Sequence, residues 1–168
     1  YPGGCDIGLR PVDLHLKGLR SLNVHIAEEG GYINCECGAL TGADILLDCP
    51  SVGATENIIL AAVKGNGVTL IRNAAKEPEI CDLQNFLNKM GARISGGGTA
   101  TIRVEGVKKL HGVEYTPMPD RIEAGTFLIA AAMCGGEIAL SNASADNIAA
   151  LIHKLREISC KITVKNDK

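Results

Sequence analysis

The stretch Pro2-Gly3-Gly4-Cys5-Asp6-Ile7-Gly8-Leu9-Arg10 places one thiol in a glycine-flanked segment, with a guanidinium five residues further on. Glycine has no Cβ, so Gly3, Gly4 and Gly8 let the backbone bend sharply and move. A thiol beside a cation loses its proton more readily, and the thiolate is the nucleophilic form. While protonated, the same group can act as a general acid. The segment reads as a mobile loop carrying a reactive cysteine towards a positively charged place, or as a surface turn with an incidental cysteine.

The other reactive side chains form no second constellation. Seven cysteines, at 5, 35, 37, 49, 81, 134 and 160, are odd in number and irregular in spacing, unlike a secreted disulfide framework. Cys35-Glu36-Cys37 is the one close pair, and His15, His25, His111 and His153 are scattered, so no metal site is expected. A redox-thiol protein would rest on Cys5 and this pair alone. Cys81, Cys134 and Cys160 fall within apolar patterns and are expected as small buried hydrophobes. Ser95-Gly96-Gly97-Gly98-Thr99 is expected as a hairpin turn, because no helix with a Lys-Ser/Thr start follows it as a phosphate cradle requires.

These residues are carried on elements that repeat. Asp13-Leu14-His15-Leu16 through Ile26 has the outline of Asp82-Leu83-Gln84-Asn85 through Ile94, with the two starts at an offset of 69 residues. A third copy runs from Leu151 through Ile162. Each reads as an amphipathic helix, a turn and an alternating strand. A second element, Ile58–Ala74, recurs as Phe127–Ala143, with Gly67 matching Gly136 and Asn73 matching Asn142. Its helices are apolar nearly all round and must be buried on every side. Strands such as Ala100-Thr-Ile-Arg-Val-Glu105 alternate and are half-exposed. Buried helices with sheets as the outer wall invert the usual α/β layering. The prolines of Tyr115-Thr-Pro-Met-Pro119 mark a boundary.

At 168 residues the chain can bury roughly 70% of the surface it exposes when unfolded, without a metal or disulfide staple. Its formal charge is −2, with acidic and basic residues interleaved, no Trp, three Tyr and two Phe. A nucleic-acid partner is therefore not expected. No apolar run approaches a membrane span and the N-terminus has no signal pattern, so a soluble, cytoplasmic protein is expected.

Four segments carry a family resemblance: Pro2-Gly-Gly-Cys5 with Arg10-Pro-Val-Asp-Leu14, Ser51-Val-Gly-Ala-Thr-Glu-Asn57, Asn73-Ala-Ala-Lys-Glu-Pro-Glu-Ile80, and Pro119-Asp-Arg-Ile-Glu-Ala-Gly-Thr126. Together they resemble the bacterial enolpyruvyl transferases that act on UDP-N-acetylglucosamine, over the central part of that family's chain. The resemblance implies an inside-out α/β barrel of repeated units, incomplete here. Residues 1–116 would be the remainder of a first domain that includes the cysteine loop, and residues 117–168 one repeat of a second. The implied reaction moves the enolpyruvyl group of phosphoenolpyruvate onto the 3-hydroxyl of UDP-N-acetylglucosamine and releases phosphate. It opens peptidoglycan synthesis, with the links to cell-wall biogenesis, cell shape and division that follow. It needs no cofactor and is the target of fosfomycin. The related family that uses shikimate 3-phosphate has no cysteine in this loop.

By resemblance Cys5 is the catalytic thiol, and Arg10, Pro11, Val12, Asp13 and Leu14 receive the uridine and diphosphate. Asp13 is alternatively a helix N-cap. Ser51, Val52 and Gly53 match a second nucleotide-contacting turn at a helix start, where N–H groups suit phosphate. The family often has lysine where this sequence has Cys49. Glu77, Glu79, Asp120 and Arg121 match motifs near the cleft, with a structural ion-pair set at the domain junction as the alternative. The phosphoenolpyruvate-gripping Lys-Asn pair, a further arginine before the cysteine loop and the family's presumed base have no counterpart here. The chain alone is therefore expected not to turn over substrate. The competing expectation is a catalytically incomplete binding or scaffold module whose exposed apolar surface drives self-association.

Overall fold

The computed structural model describes residues 11–165. Cys5 and Arg10 lie outside the described residues. The chain divides into two units, Tyr1–Thr116 and Pro117–Lys168. In the first, helix α1 (Asp13–Ser21) leads into the hairpin β1 (His25–Glu29) and β2 (Tyr32–Glu36), then β3 (Asp44–Leu46), α2 (Val52–Ala62), β4 (Val68–Arg72), α3 (Pro78–Lys89), β5 (Arg93–Ser95) and β6 (Thr101–Glu105). β3, α2 and β4 form a parallel crossover, and β4, β6 and β5 continue the sheet antiparallel in the order β3-β4-β6-β5.

The alternation in these strands does what a period of two requires. Ile45, Thr69, Ile71, Ile94, Ile102 and Val104 are buried, whereas Asp44, Arg72, Arg93, Thr101 and Arg103 are exposed. The inner face packs with α2 and α3. On the outer face Arg72 forks onto Asp44 through Nε and Nη2, at 2.7 and 2.9 Å, and Arg93 reaches Glu105 at 2.6 Å. Such exposed pairs are screened by solvent and contribute little to stability. The core is therefore the apolar layer, and its centre is α2. Ala54, Ile58 and Ile59 have no exposed surface, and α1, α3 and the sheet all contact this helix. Here the expected inside-out layering is realised.

The repeat is visible in backbone conformation. α1, α3 and, in the second unit, α5 (Ala149–Glu157) all end in Schellman caps. The left-handed residues are Asn23, Gly91 and Ser159, spaced at equal intervals. In each cap the next N–H reaches back to an equivalent carbonyl: Val24 to Leu19, Ala92 to Leu87, Cys160 to Leu155, at 3.0–3.1 Å. This register is one residue shorter than the 69 read from sequence for this element. The second element keeps 69, because Gly67 and Gly136 (φ 97° and 111°) and Asn73 and Asn142 (φ 55° and 53°) are left-handed in both copies. Gly96 and Gly98 (φ 93° and 79°) make the expected hairpin turn between β5 and β6.

In the second unit, α4 (Arg121–Cys134) precedes a 3-10 turn at Asp146–Ile148 and α5, around a small cluster of Ala124, Ile148 and Ile152. Three expectations fail here. The strand that the match of Phe127–Ala143 to Ile58–Ala74 implies at 137–141, the counterpart of β4 in the repeat, and the one expected around Ile162 do not form, since no strand lies beside them among the described residues and backbone N–H and C=O groups need partners. α4 is apolar all round yet exposes Ile122, Phe127, Ile129 and Met133. Cys134 is exposed, while Cys81 and Cys160 are half-buried rather than buried. The same pattern that buries α2 needs a sheet and two helices around it, whereas among the described residues the elements that α4 packs with are α5 and the short turn. No helix among the described residues is long and apolar enough to cross a membrane.

Candidate functional site

α1 and α2 lie against each other with contacts that advance in the same direction along both. His15 touches Gly53 and Asn57, and Gly18 meets Ile58. Their first turns therefore lie at one end of the unit. Close approach at Gly18 depends on the missing side chain, because a Cβ there would sit 2.3 Å from Ile58 Cδ1. The segments 11–14 and 51–53, far apart in sequence, are thus brought together. Ser51 is the N-cap of α2: its backbone is extended and its Oγ accepts from Ala54 N–H at 3.3 Å. The hydroxyl covers one of the first N–H groups, and those of Val52 and Gly53 have no partner within the helix itself. Asp13 is not the N-cap of α1. It is the first helical residue, and Val12 occupies the cap without a side-chain bond. Two helix N-termini side by side present two sets of N–H dipoles, which favour an anion.

The start of α3 comes to the same region. Thr55, fully buried on α2, accepts from Ala75 N–H at 3.1 Å, and Asn73 Nδ2 donates to the Leu47 carbonyl at 3.0 Å. The turn at 73–75 is thereby tied to α2. Glu77 occupies the N-cap position of α3 without a side-chain bond to the helix, its carboxylate instead accepting from the preceding Lys76 N–H at 2.9 Å, and Glu79 lies in the first turn. Glu79 is near enough to Glu56 of α2 for its charge to matter. Burial, and secondarily Glu79, pushes the Glu56 carboxyl above its ordinary value. At Cys49, where the resembled family often has lysine, the preceding Asp48 holds Lys17 Nζ of α1 at 2.8 Å, so a cation is still kept on this stretch.

With that arrangement in view, comparison with known proteins is decisive. The family model described as EPSP synthase (3-phosphoshikimate 1-carboxyvinyltransferase) matches residues 1–168. This chain belongs to the EPSP synthase family. It is 61% identical, over 167 residues and 99% of its own length, to UDP-N-acetylglucosamine 1-carboxyvinyltransferase 2 of Caldanaerobacter subterraneus subsp. tengcongensis. It is 55% identical, over 96% of its length, to UDP-N-acetylglucosamine 1-carboxyvinyltransferase 1 of Symbiobacterium thermophilum. The chain spans 40% and 37% of those relatives. Among solved structures, EPSP synthase from Acinetobacter baumannii superposes with TM-score 0.70 at 24% identity, over 95% of this chain and 37% of that one. The enolpyruvyl transferase NikO from Streptomyces tendae does so with TM-score 0.68 at 20% identity, over 89% and 38%. At these identities the superpositions establish the fold.

Within this EPSP synthase-family chain, Asp120 and Arg121 belong to the second unit. Asp120 is the N-cap of α4, its Oδ1 accepting from the N–H groups of Ile122 and Glu123 at 2.8 and 3.0 Å. Arg121 is the first helical residue. The residues that join the α1 and α2 starts, His15 and Asn57, were absent from the sequence-based candidates. His15 follows one motif and Asn57 ends another, yet only the packing of one helix on the other shows that they meet.

Proposed function

We propose that this chain is part of an enzyme that transfers the enolpyruvyl group from phosphoenolpyruvate to the 3-hydroxyl of UDP-N-acetylglucosamine, releasing phosphate in the cytoplasm as the opening step of peptidoglycan synthesis. The observation that carries the reading is the meeting of the α1 and α2 starts, which puts residues 11–14 beside 51–53. The names of the relatives at 55–61% identity support it. The two sets of N–H groups suit the diphosphate, and the Pro11–Leu14 segment suits the uridine next to it.

The proton transfers then follow. Cys5 gives its proton to the methylene carbon of phosphoenolpyruvate, and positive charge develops at C2. The sugar hydroxyl adds to C2 and loses its proton. Phosphate leaves as the methyl carbon gives a proton back, restoring the double bond. The Cys5 thiolate can instead add to C2 as a thioether. Arg10 supports the phosphate with a planar, bidentate donor set. Glu77 and Glu79, at the start of α3, stand beside this site rather than exchange protons with substrate.

Fosfomycin, an epoxide that alkylates a thiolate, tests the reading at one residue. Mass spectrometry is expected to find the adduct on Cys5 alone, formed faster with UDP-N-acetylglucosamine present. Phosphate release from phosphoenolpyruvate, in the protein of full family length, is expected to require the sugar nucleotide and to disappear in Cys5→Ser. Adducts spread over the exposed Cys35, Cys37, Cys49 and Cys134, without a nucleotide effect, would overturn it.

A further inference from the structure

The contact between His15 and Asn57 is specific in a way that packing alone does not need. Asn57 Nδ2 lies 2.7 Å from His15 Nδ1. An amide nitrogen only donates, so Nδ1 accepts and the neutral ring carries its proton on Nε2. That edge of the ring faces Gly53. A Cβ at position 53 would lie 3.2 Å from His15 Cε1 and 3.5 Å from Nε2, so the ring occupies the space that glycine leaves open. His15 stands in the first turn of α1, two residues after Asp13, and Gly53 in the first turn of α2. Below this pair the helices touch again at Gly18 and Ile58, which sets their distance but not the rotation of their ends. This hydrogen bond is a directional contact between the two starts.

We propose that His15 is a positioning residue: its Nδ1, held by Asn57, locks the first turn of α1 against that of α2 and so sets the gap between the two groups of N–H donors. This rests on the assignment of that gap to the diphosphate of a sugar nucleotide. A shift of a few tenths of an ångström at either start moves one set of donors off the phosphate oxygens, because charge-assisted bonds are short and geometry-dependent. The pair acts as a unit, since each partner has its effect only through the other.

Calorimetric titration with UDP-N-acetylglucosamine, alongside thermal unfolding, provides the test. His15→Leu and Asn57→Leu are each expected to weaken binding about five- to tenfold, the size of one neutral hydrogen bond. The double variant is expected to be no weaker than either single one, the signature of a coupled pair. His15→Asn, which returns an acceptor oxygen near the Nδ1 position, is expected to bind within about twofold of the unmodified chain. Melting temperatures distinguish a merely structural role, which would lower stability and leave affinity unchanged. Additive losses in the double variant, or unchanged affinity in His15→Asn and both leucine variants, would overturn the pairing while leaving the nucleotide assignment intact. An unmodified chain that binds no UDP-N-acetylglucosamine would overturn the assignment and this inference with it.

Discussion

The Tyr115 side chain is held from three directions. Its hydroxyl donates to Asp82 Oδ1 at 2.7 Å, its ring lies 5.3 Å from that of Phe86, and Lys89 Nζ sits 5.1 Å from its ring centre. The bond to Asp82 is the main reason its phenol is pushed up to about 12, with burial and the Asp82 charge adding to it. Ionisation destroys that bond, so the stability it contributes is complete below pH 10.0 and is lost as pH rises through about 12. An ultraviolet titration should show one of the three tyrosines ionising near that upper value, and Tyr115→Phe should remove this limb alone. Glu56 is raised too, by burial first and by Glu79 second. Its contribution to stability is therefore present below the ordinary value of 4.5 and lost as pH climbs through the raised one, leaving an unfavourable charge at neutrality. Glu56→Gln should stabilise the protein at pH 7 by at most about 0.5 kcal/mol, since the group is only half-buried and screened, and by nothing at pH 4. Equal shifts in melting temperature at both pH values would contradict this.

At the scale of elements, the packing of α1 on α2 turns on Gly18. Alanine there would gain up to about 1 kcal/mol of helix propensity. Its Cβ would also meet Ile58 Cδ1 and Cγ1 within 2.4 Å, and Ile58 is fully buried with nowhere to go. Overpacking of that kind costs about 1–3 kcal/mol and outweighs the propensity. Gly18→Ala should therefore lower stability by about 1–2 kcal/mol in urea unfolding. Because the same contact holds the two helix starts together, the proposed diphosphate site predicts that it also weakens UDP-N-acetylglucosamine binding. The element scale is also where sequence reading went furthest. The pairing of Gly67 with Gly136, and of Asn73 with Asn142, was legible because left-handed backbone selects glycine and asparagine. In the other element the matching starts Asp13 and Asp82 are 69 residues apart while the caps Asn23 and Gly91 are 68 apart, a one-residue difference that the sequence outline did not show.

On the scale of the whole molecule the two units differ in how much core each holds. Residues 11–116 bury a continuous apolar cluster on both sides of α2, whereas 117–165 have a small one around Ala124, Ile148 and Ile152. Local opening is easiest where few apolar contacts must break. Hydrogen exchange followed by mass spectrometry should find α2, β4 and β6 slowest and the peptides spanning 121–157 faster by at least about tenfold, a difference of about 1.4 kcal/mol in opening free energy. Equal protection in α2 and α4 would mean that the apolar face of α4 is covered in solution.

What the sequence determined by itself was local: helix starts and stops, turn residues, strand alternation, the repeat, and the motif set of the family. Each depends on the conformational preferences and periodicities of neighbouring residues, which the chain carries wherever it lies. Tertiary structure decided what depends on partners distant in sequence. It showed that the α1 and α2 starts meet through His15 and Asn57, that Val12 rather than Asp13 occupies the cap, and that α2 is enclosed while α4, with nearly the same pattern, is not. Residues 137–141 carry a strand pattern and form none, because a strand exists only when another backbone lies beside it to take its hydrogen bonds.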